Sequence, residues 1–271
     1  MPDTTTRPDI AVLMPVYNPG PELLPTVESI RSQGVPCRLF LVDDGSKKKA
    51  DYEAILKGMD HKLIVLPQNK GITGAMNAGL AEILKGDFTY IARLDNGDMM
   101  LPDRLAVQTA YMKAHPEIDI LGSWIELEDM NSGAKRILKH PVSPEAVAQA
   151  MWHNMAMTHP SLLIRTSFFR THGPYSDLYD AAEDYELTRR ALKRGSKIAN
   201  DDKVLTRKIE TSQSISWQKR RVQLLSRLRI QWHYRDLTKP ACWIGMAKTL
   251  ALSITPVSIS AKIKNLMAAR G

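Results

Sequence analysis

The sequence predicts an α/β fold, a mostly parallel sheet flanked by helices on both faces, with a C-terminal helical extension. Three observations predict it. Strand-like and helix-like segments alternate through the first hundred residues, the βαβ pattern that builds a parallel sheet. The strand-like runs are apolar throughout rather than alternating, as strands covered on both faces are. Each run ends in a loop of turn and polar residues, on the carboxyl edge where such sheets hold ligands.

In chain order, residues 10–16 (Ile-Ala-Val-Leu-Met-Pro-Val) form the first apolar run, closed by the turn Tyr17-Asn18-Pro19-Gly20. Leu23, Val27 and Ile30 then recur at helical spacing. Residues 38–42 make a second strand ending in Asp43-Asp44-Gly45-Ser46. Residues 62–66 make a third, followed by Gln68-Asn69-Lys70-Gly71 and an amphipathic helix to about Leu84. The fourth, Phe88-Thr89-Tyr90-Ile91, leads into Ala92-Arg93-Leu94-Asp95-Asn96-Gly97-Asp98. Beyond Lys113 the pattern changes. Residues 118–127 and 137–138 read as strands around an Asn131-Ser132-Gly133 turn, and residues 161–164 as extended. Residues 144–151, 182–194, 215–234 and 246–268 read as helices.

A chain of 271 residues with 44% hydrophobic content can bury a substantial core. Cys37 and Cys242 are far apart and fit no metal spacing, so they read as buried thiols in a reducing compartment, with a disulfide between them as the alternative. The first nine residues are polar with two prolines, unlike a signal peptide, and no apolar run of about 18 residues suggests a spanning helix. Charge is uneven: residues 203–271 carry fourteen Lys or Arg against two acids, a net +12, which leaves the body of this +8 chain at −4. That split argues against a nucleic-acid-binding protein basic throughout and favours a tail that meets an anionic surface. Within the tail, Lys219, Arg220, Arg221, Arg227, Arg229 and Arg235 interleave with Val222, Leu225, Leu228 and Trp232. Basic amphipathic helices with tryptophans suit a membrane interface; the alternative is that the apolar stripes pack on the rest of the protein.

Asp95 and Asp98 lie at the carboxyl end of a strand, where an acidic pair suits a divalent cation or a ribose. Other segments accompany them in order: Pro15-Val16-Tyr17-Asn18, Val42-Asp43-Asp44-Gly45-Ser46, Asn69-Lys70-Gly71 with Ala75-Met76-Asn77, and Leu101-Pro102-Asp103-Arg104-Leu105. Then come His159-Pro160-Ser161, Glu183-Asp184-Tyr185-Glu186-Leu187 and the run from Arg207 to Ser216. Together these resemble glycosyltransferase family 2, the inverting transferases of the GT-A (Rossmann-like) nucleotide-diphospho-sugar fold. The resemblance implies a nucleotide-sugar-binding half over residues 1–110, an acceptor-binding and catalytic half of the same domain over 111–214, and a basic helical tail over 215–271.

It also implies roles. Pro15, Tyr17, Asn18, Asp44, Lys70, Asn77, Asp95 and Arg207 would bind the donor, a UDP- or dTDP-linked sugar, with Tyr17 against the base. Asp184 would take the acceptor hydroxyl's proton, and Glu183 would orient it or bind acceptor hydroxyls. Asp95 and Asp98 would hold Mg2+ or Mn2+. The local alternatives stay open: Tyr17 as a strand-end aromatic, Asp44 as a turn residue, Lys70 as a solvated charge, Asp98 as a helix-capping acid, and His159 as an acceptor contact or a structural histidine. Two departures from the family pattern stand out. Gly97 occupies the usual metal-ligand position, and the histidine expected after Arg207 is missing, leaving Arg207 and Lys208 to face the leaving diphosphate. The Gln-x-x-Arg-Trp signature of processive synthases is also absent. The expectation is transfer of one sugar to a saccharide or polyprenyl-linked acceptor in surface polysaccharide biosynthesis, on the cytoplasmic face of the cell membrane. The rival is a non-catalytic sugar-nucleotide-binding relative. A nucleotidyltransferase would need a glycine-rich loop where Tyr17-Asn18-Pro19-Gly20 stands.

Overall fold

The computed structural model describes residues 8–210 and 220–255. One mixed sheet of nine strands runs in the order β3-β2-β1-β4-β8-β6-β9-β5, with β7 paired to the end of β6. Strands β1 (Ile10–Val16), β2 (Cys37–Asp43), β3 (His61–Val65) and β4 (Tyr90–Arg93) are parallel. Short β8 (Leu163–Arg165) joins β4 to β6 (Ile118–Asp129) in antiparallel register. Along its length β6 pairs in parallel with β9 (Lys197–Glu210), so most paired positions are parallel. β5 (Met99–Met100) and β7 (Lys135–Leu138) are antiparallel edges on β9 and β6.

Each residue of β1 is buried, as expected of an unbroken apolar run with helices on both sides. Its alternate side chains enter two cores. Leu13 joins Phe40, Val42, Met76, Leu80, Ile91 and Phe168 under α3 (Gly71–Ile83) and α6 (Thr166–His172). Val12 and Met14 join Leu23, Val27, Ile30, Leu105 and Met112 under α1 (Leu23–Arg31) and α4 (Arg104–Ala114). Short α2 (Tyr52–Leu56) is capped by Asp51, which accepts from the Ala54 N–H at 3.1 Å. α5 (Pro144–Ala150) has Ser143 as cap and proline in its first turn. α7 (Glu183–Lys193) opens with Glu183, Asp184 and Glu186 and closes with Arg190 and Lys193, the charge order its dipole favours.

Two segments differ from the sequence expectation. β9, at fourteen residues the longest strand, has no apolar run to announce it, because it is laced with Lys, Asp and Arg. Its pairing with β6 also slips at Ser123 and Trp124, where a bulge breaks the alternation. The tail helices are α8 (Arg220–His233) and α9 (Pro240–Ile254). α9 starts six residues earlier than expected, at a proline that fits a first turn. The remainder of the two expected helices, residues 215–219 and 256–268, lies outside the described residues. Ile230 of α8 is fully buried in the core beside Tyr185 and Leu187, which fastens the tail hairpin to α7.

Candidate functional site

The chain runs outward from β1 to β2 to β3, then crosses back so that β4 lies on the other side of β1. The loops after β1 and β4 therefore diverge, opening the crevice where parallel sheets bind ligands. Those loops contain Tyr17-Asn18 and Asp95-Asn96-Gly97-Asp98.

On the β2 side, Asp44 is buried, and its Oδ1 accepts from the Lys70 backbone N–H at 2.7 Å. Burial pushes the Asp44 carboxyl up, opposed by the N–H groups of Lys70 and Gly71. Gly45 has φ +66°, and a Cβ there would lie 2.4 Å from the carbonyl carbon of Gln68, so only glycine lets these two loops touch backbone to backbone. Asn18, at φ 47°, ties the first loop to the second. Its Oδ1 accepts from the Lys47 and Lys48 N–H groups, and its own N–H donates to Ser46 Oγ at 2.8 Å. Pro15 is buried in β1, whereas Tyr17 is 46% exposed with its ring free to meet a base. The Lys70 side chain is exposed at the start of α3. Asn77 is committed elsewhere: its side-chain amide makes two hydrogen bonds to the Tyr175 backbone, at 2.9 and 3.0 Å.

The acidic loop is held from below by two buried arginines. Arg93 donates to Asp95 Oδ1 and to the carbonyls of Leu13 and Leu94. Arg104 donates to the carbonyls of Pro160, Arg93 and Leu162 and to Gln108. Burial pulls Arg104 down to about 9. From the side, Asn96 Nδ2 donates to Glu22 Oε1 at 2.8 Å, and the Gly97 N–H donates to Thr26 Oγ1 at 3.0 Å. Burial raises the Asp95 carboxyl, but Arg93 and Lys208 outweigh it and hold the group at about 2. Asp98 is 4% exposed, and burial with the Asp95 charge pushes it up to about 7 despite Lys208.

Asp184 and Glu183 open α7, directly after Ala182 in the left-handed conformation at φ 65°. Burial raises Asp184, and the charge of Asp95 raises it further, so the acids of the β4 loop and of α7 face one electrostatic environment. Burial and Asp184 push Glu183 up to about 7. His159 is buried, its Nε2 2.9 Å from the Tyr175 hydroxyl oxygen. Burial and Arg93 pull it down to about 3, so it is a neutral partner of Tyr175 at neutral pH. On β9, adjacent cations point opposite ways, as strand residues must. Arg207 pairs with Glu126 and Glu128, at the β6 side. Lys208 instead reaches Asp98, Nζ to Oδ2 at 3.7 Å.

The fold implies a divalent metal, but the expected pair Asp95 and Asp98 does not fit one as arranged. Asp95 Oδ1 is taken by Arg93, and the one free Asp98 oxygen faces an ammonium that would repel a second cation. Gly97 offers no side-chain donor, and among the described residues no cluster of three His, Cys, Asp or Glu could hold a metal ion. Asp98, the expected ligand, has its carboxylate turned inward and paired with Lys208.

Arg93, Arg104 and Tyr175 have no role in the sequence expectation, and Arg227 figures there only as a cation of the basic tail. The first two stand inside recognised segments, and for Arg93 a charge at the end of an apolar strand was the available signal, whereas Arg104 opens a helix where an arginine is unremarkable. Tyr175 sits in a polar loop with no pattern. Arg227 of α8 stacks over the Tyr185 ring at 4.8 Å and lowers the neighbouring Asp184, a contact only the tertiary fold reveals.

Residues 11–173 match the family described as Glycosyl transferase family 2. The amylovoran biosynthesis glycosyltransferase AmsE of Erwinia amylovora is 31% identical over 144 residues, covering 53% of this chain and 52% of that protein. The chain thus aligns with about half the length of that relative. The UDP-Gal:alpha-D-GlcNAc-diphosphoundecaprenol beta-1,3-galactosyltransferase of Escherichia coli is 25% identical over 236 residues, covering 84% of this chain and 83% of that protein. Among solved structures, S. aureus TarS 1-349 superposes with a TM-score of 0.68 at 17% identity, covering 90% of this chain and 71% of that one. The mannosyltransferase PcManGT from Pyrobaculum calidifontis, in complex with GDP-Man and Mn2+, superposes with a TM-score of 0.62 at 14% identity, covering 99% of this chain and 82% of that one. At these identities the structures share the fold, which is that of GT-A glycosyltransferases.

Proposed function

Because the chain belongs to glycosyl transferase family 2 and is a glycosyltransferase, we propose that it moves a single sugar, with inversion, from a nucleotide-diphospho-sugar to a saccharide or lipid-linked acceptor. The observation that supports the proposal is a buried Asp184 at the start of α7, in a chain of this family, with a carboxyl that burial and the Asp95 charge both raise. In this reading the nucleoside lies between Tyr17 and Asp44, with the ribose near Asp95. The acceptor oxygen attacks the anomeric carbon, the bond from that carbon to the diphosphate oxygen breaks, and the hydroxyl proton passes to Asp184. A carboxylate raised above its ordinary range is a stronger base for that proton. The nucleoside diphosphate departs with the bonding pair.

A place in surface polysaccharide biosynthesis is supported by the names of the relatives: one acts in amylovoran biosynthesis, another on a diphosphoundecaprenol acceptor. A uridine or thymidine donor and a polyprenyl-linked acceptor on the inner face of the cell membrane fit that setting. Peripheral membrane contact is supported by the α8–α9 hairpin. Its groove of about 800 Å³ is lined by Trp232, Trp243, Leu250, Arg229 and Arg235, apolar and cationic together. Among the described residues no helix is long and apolar enough to cross a membrane.

The test is transfer from a panel of nucleotide-sugars to polyprenyl-diphosphate saccharides, comparing the native protein with Asp184→Asn. Turnover is expected with at least one donor, and its loss by roughly three or more orders of magnitude in the variant with donor affinity kept. Donor binding without turnover on any acceptor would favour the non-catalytic reading that Gly97 suggests.

A further inference from the structure

We propose that the Lys208 ammonium stands at the Asp95–Asp98 pair in place of a divalent cation, and that it neutralises the departing diphosphate with no metal bound. The inference rests on the donor-site reading above. Its basis is the register of β5 on β9. Met99 pairs with Arg207 and Met100 with Thr206 in antiparallel sense. The next pair along that ladder would be Asp98 and Lys208, so the backbone itself brings the two side chains together. The Lys208 side chain keeps 32% of its surface exposed, against 6% for Asp98, so it is the more accessible member of the pair. At 3.7 Å the contact is an ion pair without a short hydrogen bond, and Asp98 Oδ2 has no hydrogen-bond donor among the described residues. The ammonium's donors are thus free for phosphate oxygens.

The neighbouring groups leave this task to Lys208. Arg207 is held by Glu126 and Glu128. Arg93 is 1% exposed, and its donors are turned to Asp95 and two carbonyls. The acids keep the cation fixed before the diphosphate arrives, a preorganised counter-charge of the kind that stabilises developing negative charge.

The experiment is calorimetric binding of UDP, dTDP, GDP and ADP, in EDTA and in Mn2+, to the full chain, to Lys208→Met and to Lys208→Arg. At least one nucleotide is expected to bind the native protein equally in both conditions. Lys208→Met should lose roughly 10- to 100-fold in EDTA, the worth of a charge-assisted contact, while Lys208→Arg stays within a few-fold of native. Thermal melting establishes that both variants are folded. Native binding that requires Mn2+, or folded Lys208→Met that binds as the native chain does in EDTA, overturns the proposal. If none of the four nucleotides binds in either condition, the donor-site reading itself fails, and this inference with it.

Discussion

Arg104 carries more of the acid loop's geometry than any acid does. Its guanidinium gathers the carbonyls of Arg93, Pro160 and Leu162, so the end of β4 and the segment leading into β8 are tied together by one side chain. Replacing it with Met relieves a buried charge but strands three acceptors. Arg104→Met should therefore lower unfolding stability by about 2–4 kcal/mol in urea titrations. Glu183 makes a pH prediction. Its folded pKa is raised from 4.5 to about 7. Over that window the folded protein holds the proton more tightly than the unfolded chain, so stability falls as pH rises. Glu183→Gln should raise the melting temperature more at pH 8 than at pH 5, and an equal effect at both would contradict the assignment. Asp98 titrates in the same sense, so the slope is reduced, not abolished. Asp95 stands out in the sequence as an acid at the carboxyl end of a strand, and Asp184 only through the family resemblance of its segment. The split between Arg207 and Lys208 is not legible there, since it depends on which face of a strand each occupies.

At the scale of elements, the parallel half of the sheet was legible because its strands are apolar on both faces and separated by turn signals. β9 was not, since ion pairs and the bulge opposite Ser123 replace apolar periodicity in specifying it. α6 and β8 are too short to carry a period. The tail hairpin shows how a single small residue can decide docking. Gly245 sits where a Cβ would lie 1.8 Å from the Trp152 carbonyl oxygen, and Lys248 donates to Asn154 Oδ1 on the same loop. Gly245→Ala should push α9 off this seat at a cost of about 1–3 kcal/mol. Hydrogen exchange should quicken across residues 240–254 while β1 keeps its protection; unchanged exchange in α9 would show that the helix finds another seat.

For the whole molecule, the separation of a −4 body from a +12 tail gives the surface a direction. Trp232, Trp243, Ile244 and Ile254 are all at least half exposed on the tail hairpin. The protein should co-sediment with vesicles containing phosphatidylglycerol and not with pure phosphatidylcholine, and added salt should release it. Trp232→Ala with Trp243→Ala should weaken that binding by roughly tenfold or more, from the apolar area withdrawn. Equal binding to neutral vesicles, or none to anionic ones, would remove the membrane from the proposed function. The fold places Ile230 of the same hairpin in the core with Tyr185, beside Asp184, so a tail resting on lipid would fix how the acceptor crevice is aimed. The contact at Gly45 acts on the opposite side of the crevice. With the loops after β2 and β3 touching backbone to backbone, the proposed nucleoside site is bordered by loops already fixed against each other. A nucleoside bound at that proposed site would then have little loop ordering to pay for on arrival.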